Sequence, residues 1–180
     1  MDIIVKYIDE LLEKSTPEAP MWNIEKIRQG LKSNWNYIDG VMIKAVLQMY
    51  DVTKDEKYLK FADNFIDYRV HEDGTIDGYN IGEKNIDNVY AGKTLFELYD
   101  LTGKEKYRKA IDLVYSQIEI MPRCNNEARS FWHKDIYPNQ VWLDGMYMGQ
   151  PFYLEYETKF NNRKNYPDIF AQFKYVIENM

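Results

Sequence analysis

The sequence predicts an all-α fold built of helical hairpins, either an α/α toroid or an open α-solenoid. Two observations carry that prediction: a joint that repeats along the chain, and an alternation between two kinds of helix. The joint Tyr50-Asp51-Val52-Thr53-Lys54-Asp55-Glu56-Lys57-Tyr58 returns as Tyr99-Asp100-Leu101-Thr102-Gly103-Lys104-Glu105-Lys106-Tyr107. A worn third copy runs from Tyr156-Glu157-Thr158 to Arg163-Lys164-Asn165-Tyr166. Self-similarity at a period of roughly fifty residues marks a repeat architecture, in which each unit buries its apolar face on the next.

Each joint predicts a helix–turn–helix. Thr53 with Glu56, and Thr102 with Glu105, have the spacing of a capping box, in which hydroxyl and carboxylate satisfy the first free N–H groups of the following helix. The helices after the joints are apolar on one face: Tyr58, Phe61, Ala62, Phe65 and Ile66; Tyr107, Ala110, Ile111, Val114 and Ile118; Tyr166, Ile169, Phe170, Phe173, Val176 and Ile177. The helices before them are apolar nearly all round. A one-faced helix lies at a surface and an all-round apolar one is buried. Val41–Tyr50, Val89–Leu101 and Val141–Tyr156 are therefore placed on an inner wall, with outer helices after each and another near residues 3–16. About seven helices and no sheet are expected, in one domain spanning residues 1–180.

Composition removes several function classes. A net charge of −6 with no Lys/Arg stripe argues against a nucleic-acid partner. The single cysteine, Cys124, excludes a disulfide framework and a cysteine zinc site. The two histidines lack a paired helical spacing, so no metal is expected, and there is no phosphate-binding glycine loop and no convincing serine or cysteine nucleophile; no cofactor is expected. No apolar run is long enough to span a bilayer, so no membrane partner is expected. The N-terminus lacks the features of a secretory signal, and a cytoplasmic location is the expectation. Sixteen Tyr, eight Phe and four Trp supply either a heavy core or a ring-lined groove of the kind that stacks on sugars.

Each inner helix opens with an aspartate: Asp39 in Tyr37-Ile38-Asp39-Gly40, Asp87 in Asn85-Ile86-Asp87-Asn88, and Asp144 in Trp142-Leu143-Asp144-Gly145. They stand 19, 20 and 22 residues before Tyr58, Tyr107 and Tyr166, which puts all three at one height. As helix caps or first-turn acids they would need no further role, and Asp39 is best read that way. Carboxylates facing one cleft can also supply one protonated and one ionised acid, the equipment of an acid/base hydrolase. Two long loops, 70–84 and 120–140, lie on the same face. The second carries Phe131-Trp132-His133-Lys134-Asp135 and Tyr137-Pro138-Asn139-Gln140-Val141-Trp142, a crowd of ring, imidazole, ammonium and amide groups around Asp144. His71 has no such company.

These last segments, with Asp144-Gly145-Met146-Tyr147-Met148, resemble the signature of family-105 glycoside hydrolases, the unsaturated rhamnogalacturonyl hydrolases, which are related to the family-88 unsaturated glucuronyl hydrolases. Trp35-Asn36-Tyr37-Ile38-Asp39-Gly40 and Ile86-Asp87-Asn88 look like that family too. The resemblance implies an (α/α)6 barrel, of which this chain would be the N-terminal half. It also implies hydration of the C4=C5 double bond that pectin lyases leave on a terminal uronate. By similarity Asp144 is the acid that protonates C4 and activates water, and Asp87 the second carboxylate. His133, Trp142, Tyr37, Trp132 and Lys134 are implied as substrate contacts. The expected partner is an unsaturated oligosaccharide, and a half barrel is expected to self-associate to cover its open sides.

Overall fold

The computed structural model describes residues 2–179. The described residues form eight α-helices and no strand: α1 (Asp2–Glu13), α2 (Ile24–Arg28), α3 (Tyr37–Thr53), α4 (Glu56–Asp67), α5 (Lys93–Thr102), α6 (Glu105–Ile120), α7 (Leu143–Phe160) and α8 (Tyr166–Asn179). The seven expected helices are α1 and α3–α8; α2 is a five-residue addition in the loop before α3. Three short 3-10 segments complete the set, of which Ile86–Gly92 leads into α5.

The repeated joints form for a different reason than the expected capping box. Thr53 and Thr102 still belong to the preceding helix, where each hydroxyl donates at 2.6 Å to the carbonyl four residues back, on Met49 and Leu98. Lys54 and Gly103 then turn the chain in the left-handed conformation, at φ 56° and 68°. Asp55 is the cap of α4, accepting from the Lys57 N–H at 3.0 Å. Glu56 and Glu105 instead accept from the Tyr50 and Tyr99 hydroxyls at 3.2 and 3.4 Å, tying each helix to the one before the turn.

The Lys-Tyr pair that ends each joint lashes one outer helix to the previous one. Lys57 and the Tyr58 hydroxyl both reach Asp9 of α1 at 2.9 Å. In the next unit the Tyr107 hydroxyl reaches Asp63 of α4 at 2.6 Å and Lys106 lies 3.0 Å from Asp67. The rings of Tyr58 and Tyr107 are buried beneath these contacts.

Inner helices α3, α5 and α7 supply the core residues Ile43, Val46, Leu47, Leu95, Phe96, Leu98 and Phe152, and the 3-10 segment adds Val89. Their starts approach closely because glycines stand at the contacts. A Cβ on Gly40 would fall 2.6 Å from the Ala91 Cα, and one on Gly149 2.7 Å from Ile86. The second inner element is not α-helical throughout, as the sequence pattern suggested. Its opening is the 3-10 segment Ile86–Gly92, where side chains three apart eclipse, so Asp87, Tyr90 and Lys93 fall in one column. No helix among the described residues is long and apolar enough to cross a membrane.

Candidate active site

The 121–142 loop is delivered to the mouth of the inner wall by backbone pairing. Ile86 N–H donates to the His133 carbonyl at 3.0 Å, Asp135 N–H to the Lys84 carbonyl at 3.3 Å, and His133 N–H to the Gln140 carbonyl at 2.8 Å. Residues 84–86 and 133–135 thus run side by side, with an isolated antiparallel bridge between Asn85 and Lys134. Asn85 caps the 3-10 segment by accepting from the Asp87 N–H at 3.1 Å. Asp87 is thereby fixed where the loop lays down His133 and Lys134.

Lys134 Nζ stands 2.7 Å from Asp87 Oδ2, and His133 Nε2 stands 3.4 Å from Asp87 Oδ1. Asp87 and His133 are buried, whereas Asp144, in the first turn of α7, is exposed. Asp87, His133 and Asp144 each bring a ligating atom within 4.8 Å of the other two. That spacing could bridge a divalent cation, but the Lys134 ammonium already places a positive charge against Asp87, which makes the cluster a poor cage for one.

Two buried polar atoms here complete no hydrogen bond, Asp87 Oδ1 and His133 Nδ1. Nδ1 faces Gly145, and Nε2 faces Asp87. Burial pulls the His133 pKa below its usual value, against the opposing pull of Asp87 and Asp144. The imidazole stacks on Trp142 at 4.1 Å and 9°, and Trp142 also stacks with Tyr137 at 5.3 Å.

Of the residues expected at the site, the structure brings together Asp87, His133, Lys134, Asp144 and Trp142. Trp132 lies behind them, lining a small hollow with Ile86, Phe131, Val141 and Met146, and its Nε1 is buried without a partner. Tyr37 opens α3, partly exposed, at the register position that Trp142 holds before α7. His71 pairs with Asp77 at 2.8 Å in the exposed 70–84 loop, away from this cluster.

Asp39 is a first-turn acid, but it is not free to be exchanged like a cap. Asn36 is the cap of α3, accepting from the Asp39 N–H at 2.9 Å. The Asp39 carboxylate is buried and accepts from Trp22 Nε1 at 2.8 Å, Ser33 Oγ at 2.9 Å and Asn36 Nδ2 at 3.0 Å, with Arg69 3.8 Å away. Burial pushes its pKa up against those donors. It anchors the segment before α3 rather than facing Asp87 and Asp144.

One group of residues at the inner wall escaped the sequence reading. Tyr90 and Tyr147 stand three residues after Asp87 and Asp144; their hydroxyls are 3.0 Å apart and their rings 5.3 Å apart. The signal was present as that shared spacing of three, but the 3-10 geometry that makes it meaningful was not.

An arc of α/α hairpins, with two carboxylates and an imidazole converging where the inner helices begin, defines the class, a helical-hairpin toroid. Residues 7–180 match the model of Glycosyl Hydrolase Family 88, and the chain belongs to that family. Among solved structures it is similar to a glycoside hydrolase from family 105 of C. acetobutylicum ATCC 824, with 43% identity and a TM-score of 0.78. The match covers 86% of this chain and 43% of that one, so this chain spans less than half of that relative's length.

Proposed function

We propose that this chain carries the acid/base centre of a glycoside hydrolase that removes an unsaturated galacturonyl residue from pectin-derived rhamnogalacturonan oligosaccharides. The observation that supports this most is the unequal setting of two converging carboxylates. Asp87 is buried and held by Lys134 at 2.7 Å, while Asp144 is exposed and within 4.8 Å reach of it and His133. We assign proton donation to Asp144, and orientation of the substrate to Asp87, whose charge Lys134 matches.

In this reading Asp144 donates its proton to C4 of the C4=C5 bond, and positive charge develops at C5, next to the ring oxygen. Asp144, now a carboxylate, takes a proton from the water that adds at C5. The hemiketal so formed opens and releases the adjoining sugar. The chemistry is hydration of a vinyl ether, so the carboxyl-separation rule for ordinary glycosidases does not apply. His133, Trp142, Tyr37 and Lys134 remain the proposed sugar contacts, and Trp132, also expected as one, would support them from behind the His133–Trp142 stack.

The test is incubation with an unsaturated rhamnogalacturonan disaccharide while following the ultraviolet absorbance of its conjugated bond. A second reading is favoured by the 43% coverage of the relative: a fragment that binds but does not turn over. Calorimetry with the same disaccharide showing binding without loss of absorbance would select it.

A further inference from the structure

Asp87 and Asp144 sit on different helices, so their separation depends on whatever ties those helices together. One turn below them the tie is visible. Asp87, Tyr90 and Lys93 share a column because the segment from Ile86 is a 3-10 helix, and Tyr147 follows Asp144 by one turn of α7. The Tyr90 and Tyr147 hydroxyls are in hydrogen-bond contact at 3.0 Å. Lys93 Nζ lies 3.5 Å from the centre of the Tyr90 ring and 4.4 Å from that of Tyr147.

Pro151 explains why Lys93 is held there. A proline inside a helix cannot donate to the carbonyl four residues before it, and in α7 that carbonyl belongs to Tyr147. Lys93 Nζ supplies the missing donor at 3.2 Å. The ammonium makes no ion pair among the described residues, so the freed carbonyl and the two ring faces are its partners. We propose that Lys93, Tyr90 and Tyr147 are positioning residues, a clamp that fixes the separation of the Asp87 and Asp144 carboxylates from one turn below. This rests on the proposed roles of those two acids, but the geometry it claims exists without any substrate.

The test reads the His133 imidazole, which faces Asp87, Asp144 and Lys134, by NMR titration in a His71→Gln background, where it is the remaining histidine. Lys93→Met and Tyr147→Phe should each let Asp144 drift from the ring and lower the His133 midpoint by on the order of half a pH unit. Lys93→Arg, which keeps the cation over the rings, should restore the parent midpoint. Pro151→Ala returns the helical donor to the Tyr147 carbonyl, so Lys93→Met should move the midpoint less in that background. An unchanged or raised midpoint in both Lys93→Met and Tyr147→Phe overturns the proposal, even if both melt earlier. Should Lys93→Met fail to fold, Tyr147→Phe, which loses a single hydroxyl, decides alone. A moved midpoint beside near-parental turnover in Asp144→Asn would sink the proposed function and leave the clamp standing.

Discussion

Gly145 leaves the space that His133 occupies: a Cβ at Gly145 would stand 2.8 Å from the imidazole Nδ1. The ring cannot retreat easily, because it is stacked on Trp142 and its backbone is bonded to Ile86 and Gln140. Gly145→Ala should therefore destabilise the fold by about 1–3 kcal/mol, the cost of overpacking a well-filled site. Urea unfolding should show a lower midpoint with the slope unchanged. A variant as stable as the parent would mean that the ring has room to move.

Asp39→Asn should be strongly destabilising, although Asn is as good a cap as Asp. The amide would turn its N–H donors toward Trp22, Ser33 or Asn36 and leave Arg69, also buried, without its nearest carboxylate. Breaking such a pair costs about 3 kcal/mol or more; burial, which already pushes the Asp39 carboxyl up, keeps the loss near that lower bound. Thermal unfolding decides this. A melting temperature within a degree or so of the parent's would return Asp39 to the status of a simple first-turn acid.

Acid should weaken the fold partly through His133. Its folded pKa lies below the ordinary value of about 6.5. As pH falls through that value the unfolded chain takes up a proton that the folded chain refuses, so stability declines; above it His133 contributes no slope. His133→Gln should flatten the stability profile just below pH 6.5. A profile with the same slope in parent and variant would contradict the burial assigned to this ring.

Self-association is a further expected outcome. Phe170 and Ile177 on α8 are 69% and 79% exposed, and Ile3 on α1 is 85% exposed, which puts bare apolar surface on the first and last helices. Sedimentation should show species larger than a 21.6 kDa monomer at micromolar concentration, and Phe170→Ser with Ile177→Ser should reduce them. A monodisperse monomer would show that these faces need no cover.

The fold was largely legible because it is written in periodicity. The Tyr-to-Tyr joints and the contrast between one-faced and all-round apolar segments located α3 to α8 to within a few residues. What periodicity does not encode was missed. Thr53 and Thr102 fit a capping pattern by spacing, yet their hydroxyls bond backward into the helix. The 3-10 opening at Ile86–Gly92 depends on tertiary contact with α3 and α7, which no local pattern states. At the site, the shared register of the three aspartates was readable, but not that Asp39 faces Trp22, Ser33 and Arg69 while Asp87 and Asp144 converge. That division follows from the loop 121–142 pairing with residues 84–86, a long-range contact. The clamp of Tyr90, Tyr147 and Lys93 depends on the carbonyl that Pro151 leaves free on Tyr147, a tertiary relation that no local pattern encodes.

The kinetic contrast between Asp87 and Asp144 follows from their settings. Asp87→Asn removes a negative charge near Asp144 and frees the Lys134 ammonium, 2.7 Å away in the parent. Asp87→Asn should therefore lose less turnover than Asp144→Asn, because it disturbs the orientation of the substrate and leaves the proton donor in place. A loss at Asp87→Asn as deep as that at Asp144→Asn would argue that Asp87 does more than orient.

Asp144→Asn tests the assignment of the proton donor, because the amide keeps the shape of the carboxyl but has no transferable proton. The measurement is the loss of ultraviolet absorbance from an unsaturated rhamnogalacturonan disaccharide, in this chain or, if this chain is silent, in a full-length relative. The variant should lose about 10²–10⁴-fold in kcat, with KM little changed because the ground-state contacts survive. Near-parental turnover by Asp144→Asn would contradict the account and move the acid to another residue.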